Sequence, residues 1–184
     1  MIRIYLAGEI QIESEHGLIR ESDLPARQGR LAFAHLASTR DHSLAREELA
    51  ETLWPGKLPR AWEVSLSAII SKLRATLAGA GLDRDGVIVT AFSSYQLRLP
   101  ADAWVDLEVA AGSLHQAEAK VAAGRALDAY GEALVALLIC AQSAHVPSLA
   151  APHIHCRHAI DVLRSWFSES RRAPSRRLPP PLVA

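Results

Sequence analysis

The sequence predicts an α+β winged helix-turn-helix with an N-terminal antiparallel sheet, followed by an α-helical, tetratricopeptide-like segment and a poorly structured tail. Three observations predict it. Residues 46–98 pass from a short helical pattern, REELAETLWP, through a longer one, RAWEVSLSAIISKLRATL, to a hairpin pattern, VIVTAFSSYQLRL. Short alternating apolar runs precede this block, and after Pro100 the apolar spacing becomes purely helical. The divisions that follow are a winged-helix unit at 1–100, a partial helical unit at 103–138 and an irregular or disordered segment at 139–184.

Ile2, Ile4 and Leu6, then Ile10 and Ile12, then Leu18 and Ile19 mark three short strands, with turns at Gly8 and at Glu15-His16-Gly17. Leu31, Phe33, Ala34, Leu36 and Ala37 give the apolar stripe of a first helix, about Gln28 to Ser38. The second starts at Ser43 or Arg46, turns Leu49, Ala50, Leu53 and Trp54 to one side, and stops at Pro55-Gly56. The third is placed at Pro59–Ala78, because proline is tolerated where the amide has no intrahelical partner. Its inward face is Trp62, Leu66, Ile69, Ile70, Leu73 and Leu77, and Gly79 and Gly81 end it. A hairpin of Val87–Val89 and Tyr95–Leu99 follows, with a tip of Ala91, Phe92, Ser93 and Ser94.

Beyond a boundary at Leu99 to Val105, Asp106 caps a helix whose apolar positions include Leu107, Ala110, Leu114 and Val121. Gly124 breaks it, and Ala126, Leu127, Tyr130, Leu134 and Leu137 form a second helix. The pair spans about 34 residues, the period of tetratricopeptide hairpins. Farther on, Ile160, Leu163, Trp166 and Phe167 give a short amphipathic stretch, and the last residues from Arg171 form a basic, proline-rich tail.

The 184 residues are 49% hydrophobic and carry 20 basic and 20 acidic side chains, so the whole lacks the surplus positive charge that phosphate neutralisation needs. The charges are segregated, however. Residues 101–150 hold 2 basic and 6 acidic side chains, whereas residues 151–184 hold 6 and 2. No signal peptide and no bilayer-length apolar run are present, so the chain is expected in the cytoplasm, away from membranes, with Cys140 and Cys156 as reduced thiols.

Opposite its core stripe, the third helix presents Val64, Ala68, Ser71, Lys72 and Ala75, flanked by Arg60, Ser67 and Arg74. Small residues there let a helix sit deep in a major groove, with Lys72 and Arg74 reaching base edges or phosphates and Ser67 or Ser71 as adaptable partners. Arg98 on the hairpin is placed to meet phosphate or the minor groove. Double-stranded DNA is the partner these residues point to.

Other chemistries find less support. His153, His155, Cys156 and His158 form an HxHCxH cluster whose spacing matches no structural zinc site, so solvated loop histidines and no metal are expected. Asp41, His42 and Ser43 are adjacent, which points their side chains apart, and no GxSxG, HExxH or phosphate-binding GxxxxGK[ST] loop occurs. No catalysis and no cofactor are expected. Trp104 and Trp166 read as packing residues, and the Arg171-Arg172 and Arg176-Arg177 pairs as a solubilising tail.

Leu49-Ala50-Glu51-Thr52-Leu53-Trp54-Pro55, then Ser65-Leu66, Ser71-Lys72-Leu73-Arg74 and Tyr95-Gln96-Leu97, resemble the DNA-binding part of SARP/AfsR-type bacterial transcriptional activators. Residues 103–138 are similar to the opening of the bacterial transcriptional activator domain that follows it. The resemblance covers about three quarters of the chain. It implies an OmpR/PhoB-type winged helix with a four-stranded N-terminal sheet supplied by the first strands. It also implies binding of promoter repeats by side-by-side copies, as in a homodimer on DNA, and recruitment of RNA polymerase. Lys72 and Arg74 match the basic pair of the family's recognition helix, and Ser65 matches a phosphate contact near its start. Glu63, Val64 and Ser67 stand where the family is often basic or amide-bearing, and Ser94 replaces the usual wing glycine, which implies weaker or altered affinity. The family's further helical hairpins are not legible after Leu138, so the expectation is an activator segment truncated or frame-altered there. The alternative reading is a helical-repeat protein-interaction module, or an inactive remnant that does not bind DNA.

Overall fold

A computed structural model of the chain describes residues 1–143. The HxHCxH cluster, the stretch Ile160 to Phe167 and the paired arginines of the tail lie outside the described residues.

The alternating apolar residues at the N-terminus form β1 (Arg3–Tyr5), β2 (Gln11–Ser14) and β3 (Gly17–Arg20), a meander whose second turn is the two residues Glu15-His16. Ile4 and Ile12 pair directly and are both fully buried, as a period of two requires for a sheet with one face on the core. Helix α1 (Ala26–Ser38) buries Ala32, Phe33, Leu36 and Ala37. A two-residue strand, β4 (Leu44–Ala45), leads into α2 (Arg46–Leu53). Helix α3 (Trp62–Ala78) buries Leu66, Ile70, Leu73 and Leu77, a stripe at helical spacing. The hairpin strands are β5 (Ile88–Ala91) and β6 (Ser94–Leu97), and β6 also pairs with β4 to give a three-stranded sheet in the order β4-β6-β5.

The chain then returns to its beginning. Strand β7 (Trp104–Val105) pairs parallel to β1, with Arg3 opposite Trp104 and Ile4 opposite Val105. The four-stranded sheet therefore has the order β3-β2-β1-β7. Its fourth strand comes from after the hairpin rather than from the N-terminal run, where the sequence placed it. Trp104 packs against Tyr5 with ring centroids 5.3 Å apart, and its backbone N–H donates to the Ile2 carbonyl at 2.8 Å.

Helix α4 (Asp106–Ala122) follows β7 without a linker and packs against α5 (Ala126–Ser143). Gly124, with φ of +73°, reverses the chain between them: Gly124 N–H donates to Val121 O at 2.9 Å and Arg125 N–H to Lys120 O at 2.9 Å. This is the glycine-closed helix end in which the freed carbonyls are satisfied locally. Lys120 Nζ and Glu132 Oε1, 2.9 Å apart, clamp the pair.

One apolar core joins both sheets to α1, α2 and α3 and takes in Val105 and Leu107 of the β7–α4 junction. A second, smaller cluster of Leu114, Ala136 and Cys140 lies between α4 and α5. Asp106 is the polar group buried at the junction. Its carboxylate accepts the backbone N–H groups of Leu6 (3.0 and 2.9 Å), Ala7 (2.8 Å) and Leu107 (2.7 Å). Burial pushes this carboxyl above the usual carboxylate range, while the N–H donors of Ala7, Leu6 and Leu107 pull the other way. Arg40, before β4, forms a two-pronged pair with Glu108 of α4, and the Arg40 carbonyl accepts from Gln96 Nε2 of β6 at 3.2 Å. The Glu108 hydrogen bond is the main reason the Arg40 guanidinium is held above its ordinary pKa.

Candidate nucleic-acid interface

Helix α3 begins at Trp62, three residues later than the sequence placed it. Ala61 has φ of −108° and ψ of 38°, outside the helical region, and Pro59 and Arg60 form the preceding turn, closed by the Trp62 N–H on the Pro59 carbonyl at 3.0 Å. Arg60 thus stands exposed ahead of the first helical turn, not on the helix. Ser65 is half-buried and its hydroxyl donates to the Ala61 carbonyl at 3.1 Å, which leaves its lone pairs outward. Ser67, Ser71 and Lys72 are exposed along the face opposite Leu66, Ile70 and Leu73. Val64 and Ala75 lie on the same face, Val64 with 72% of its surface open.

Arg74 is placed differently from Lys72. Its Nε donates to the Ile88 carbonyl at 3.0 Å, and an Nη donates to Thr90 Oγ1 at 2.9 Å. The guanidinium ties α3 to β5. Arg74 and Lys72 also diverge in direction, since residues two apart on a helix do not face one another.

The hairpin tip is tighter than its sequence suggests. Ala91 pairs with Ser94, so the turn is the two residues Phe92-Ser93, with φ of +45° and +60°. Two positive φ values in a two-residue hairpin give a type I′ turn, which matches strand twist but favours Asn-Gly over the residues present here. One contact from outside the hairpin and one within it hold the turn. The Arg46 N–H donates to the Ser93 carbonyl at 3.0 Å, and the Ser94 hydroxyl donates to the Ala91 carbonyl. The Phe92 ring is wholly exposed, at 104%.

Behind the tip, Thr90 and Tyr95 form one cross-strand pair, and each receives a guanidinium. Arg74 donates to Thr90. Arg46 donates to the buried Tyr95 hydroxyl from Nε at 3.3 Å and from an Nη at 3.0 Å, and its charge lies 5.3 Å from the Tyr95 ring centroid. The Tyr95 hydrogen bond is the largest influence raising the Arg46 pKa, followed in the same direction by the charge interaction with Tyr95.

Arg98 is not part of this group. Its N–H donates to the Val87 carbonyl at the base of the hairpin, and strand alternation puts its side chain on the face of Gln96 and Ser94, opposite that of Tyr95 and Leu97. Lys72 and Arg74 flank the outward stripe of α3, Arg60 precedes it, and Arg98 stands apart. Sequence reasoning missed Arg46, whose position depends on the β4–β6 pairing, and the isolated display of Phe92. The one available signal for Phe92 was an aromatic residue where a hairpin turn calls for glycine or asparagine.

Among the described residues no group of three or more His, Cys, Asp or Glu side chains is arranged to hold a metal, and no helix is long and apolar enough to cross a membrane. His42 Nδ1 lies 2.8 Å from Asp41 Oδ1, although adjacency led to the expectation that the two would point apart; they sit in a turn, where neighbouring side chains can converge. Ser43 is exposed beside them.

No protein-family model matches the chain, and no curated protein matches it. Among solved structures, the chain is similar to Mycobacterium tuberculosis EmbR in complex with a low affinity phosphopeptide, with a TM-score of 0.65 at 22% sequence identity. The match covers 91% of this chain and 43% of EmbR, so the chain spans less than half of EmbR's length. The likeness is one of fold: mixed α/β, with N-terminal sheets and several helices.

Proposed function

We propose that the chain is a sequence-specific DNA-binding transcriptional regulator in which α3 is a recognition helix and the β5–β6 hairpin is the wing of a winged helix-turn-helix. The observation that carries this reading is the join between them. Arg74 fastens α3 to β5 while Ser67, Ser71 and Lys72 stay exposed, so helix and hairpin are joined beside the face offered to a duplex. The shared fold with EmbR, a SARP-family regulator, supports it, as do the activator-like blocks in the sequence.

In this reading the small outward residues of α3 allow close approach to the major groove, Lys72 and the unoccupied donors of Arg74 meet phosphate or base edges, and Arg60 and Ser65 meet phosphate near the helix start. Arg98, on the other face of the hairpin, is left to a neighbouring strand or a second copy. Activation through RNA polymerase, side-by-side binding as a homodimer and a cytoplasmic setting belong to the same proposal, as does the absence of catalysis and of a cofactor.

Selection from random duplexes followed by gel shifts over a salt series tests it. A regulator of this kind enriches a discrete motif and loses affinity steeply between low and physiological salt. Failure to enrich any motif, with no more affinity than a neutral control protein, rejects the reading.

A second reading has an observation of its own. Leu127 is 92% exposed, and Tyr130, Leu134, Val135, Leu137 and Leu138 of α5 are also exposed, an apolar face of the kind that protein-interaction modules present. If the chain binds no DNA, the alternatives are a helical-repeat interaction module, which this face favours, and an inactive remnant.

A further inference from the structure

We propose that Phe92 is an apolar wedge that enters a base step in the minor groove beside α3, unstacking it and bending the duplex. This rests on the DNA-binding reading above and goes beyond it in naming a residue and a deformation.

Three independent features converge on the tip. First, the ring is fully open to solvent in a two-residue turn, more exposed than any other aromatic side chain among the described residues. Second, the turn holds Phe92 and Ser93 at positive φ, a region that side chains of this type seldom enter, and it is held by contacts on both sides: Arg46 N–H to Ser93 O, and Ser94 Oγ to Ala91 O. These hydrogen bonds restrain the backbone on which the ring is displayed. Third, the cross-strand pair immediately behind it, Thr90 and Tyr95, carries Arg74 on one side and Arg46 on the other. An exposed aromatic ring set in front of two guanidinium groups matches the chemistry of a bent minor groove. There an inserted apolar side chain separates two base pairs while arginines engage the backbone or groove floor on either side. Glu47 and Glu63, acidic groups near Arg46, oppose that attraction in part.

The test uses the full chain and a duplex carrying its selected site. Asparagine at position 92 suits the left-handed turn better than phenylalanine, so Phe92→Asn keeps or raises thermal stability while removing the ring. Expected for Phe92→Asn are an affinity loss of about tenfold, loss of the duplex bend read by energy transfer between end-labelled strands, and no rise in 2-aminopurine fluorescence at the step facing the tip. Wild type and Phe92→Tyr, which retains a ring, give the bend and the fluorescence rise. Equal affinity and equal bend for wild type and Phe92→Asn overturn the wedge, as does a flat 2-aminopurine signal at every step of the site for wild type. Both outcomes leave DNA binding itself intact, so they are distinct from a wild-type chain that selects no site.

Discussion

Asp106 binds the backbone of Leu6 across a separation of 100 residues, with its two carboxylate oxygens 3.0 and 2.9 Å from the Leu6 nitrogen. The same carboxylate takes the Ala7 and Leu107 N–H groups, so three buried donors at the meeting of β1, β7 and α4 depend on one side chain. Asp106→Ala strands all three, and a buried unsatisfied donor costs about 1–3 kcal/mol. The expected loss is on the order of 3 kcal/mol, measured by urea denaturation. Asp106→Asn also destabilises, because its amide group turns two donors toward donors. A midpoint for Asp106→Ala equal to wild type would show that the network contributes nothing net.

Lys72 and Arg74 separate two roles that the sequence assigned jointly. Lys72 is exposed and away from the hairpin, whereas Arg74 is bonded to Ile88 and Thr90. Lys72→Ala therefore leaves the melting temperature unchanged and lowers the slope of log affinity against log salt by about 1. Arg74→Ala lowers stability by about 1–2 kcal/mol as well as affinity. Parallel thermal melts and salt-series gel shifts check the contrast, which fails if both variants melt together.

Gly81 closes the segment after α3 at φ of +78°, and a Cβ there would stand 1.9 Å from the His16 ring in the β2–β3 turn. His16 can swing aside, but the backbone strain cannot be relieved that way. Gly81→Ala is expected to cost about 1–2 kcal/mol. Adding His16→Ala should recover only a minor part of it, and full recovery in the double variant would assign the cost to the ring contact.

His35 supplies a pH dependence. Burial lowers its pKa below 6.5, with the charge of Glu48 opposing and that of His42 adding to the depression, and Nδ1 lies 2.9 Å from Thr52 Oγ1. The Thr52 hydroxyl donates to the Glu48 carbonyl at 3.1 Å, which leaves its oxygen to accept from a neutral His35 with the proton on Nδ1. A base with a depressed folded pKa binds its proton more readily when unfolded. Its contribution is full above pH 6.5 and declines as pH falls from there toward the folded value. His35→Gln should flatten the change in melting temperature over that window. An unchanged profile would place the dependence on other groups.

Local periodicity made the helices legible. The stripe of Leu66, Ile70, Leu73 and Leu77 is buried as spacing predicts, and Gly124 stops α4 where the pattern breaks. Asp106 was expected as the cap of α4, but Val105 takes the cap position and Asp106 is the first helical residue; its carboxylate is spent on the Leu6 and Ala7 N–H groups just after β1, which no local pattern encodes. The same holds for β7. Two residues, Trp104-Val105, carry too little alternation to announce a strand, and the partner that makes them one lies at the other end of the described chain. Around the candidate interface, composition identified Lys72 and Arg74 but not their different duties, because the tie from Arg74 to the hairpin depends on tertiary placement. For Arg98, alternation in the sequence and register in the structure agree in setting it with Gln96 on the face opposite Tyr95 and Leu97.

The return of β7 to β1 also sets an order of events during synthesis. The first strand to be made keeps one edge unpaired, and the N–H groups of Leu6 and Ala7 lack their acceptor, until Val105 and Asp106 have been added. Helix α3 and the hairpin are made inside that interval and cannot rest on a finished sheet until it closes. A product that stops at residue 100, where the sequence suggested a division, would carry the whole proposed DNA-reading edge together with an open strand edge, the type of surface along which chains aggregate. The short segment from Trp104 to Asp106 covers that edge of β1 and supplies the acceptor for Leu6 and Ala7.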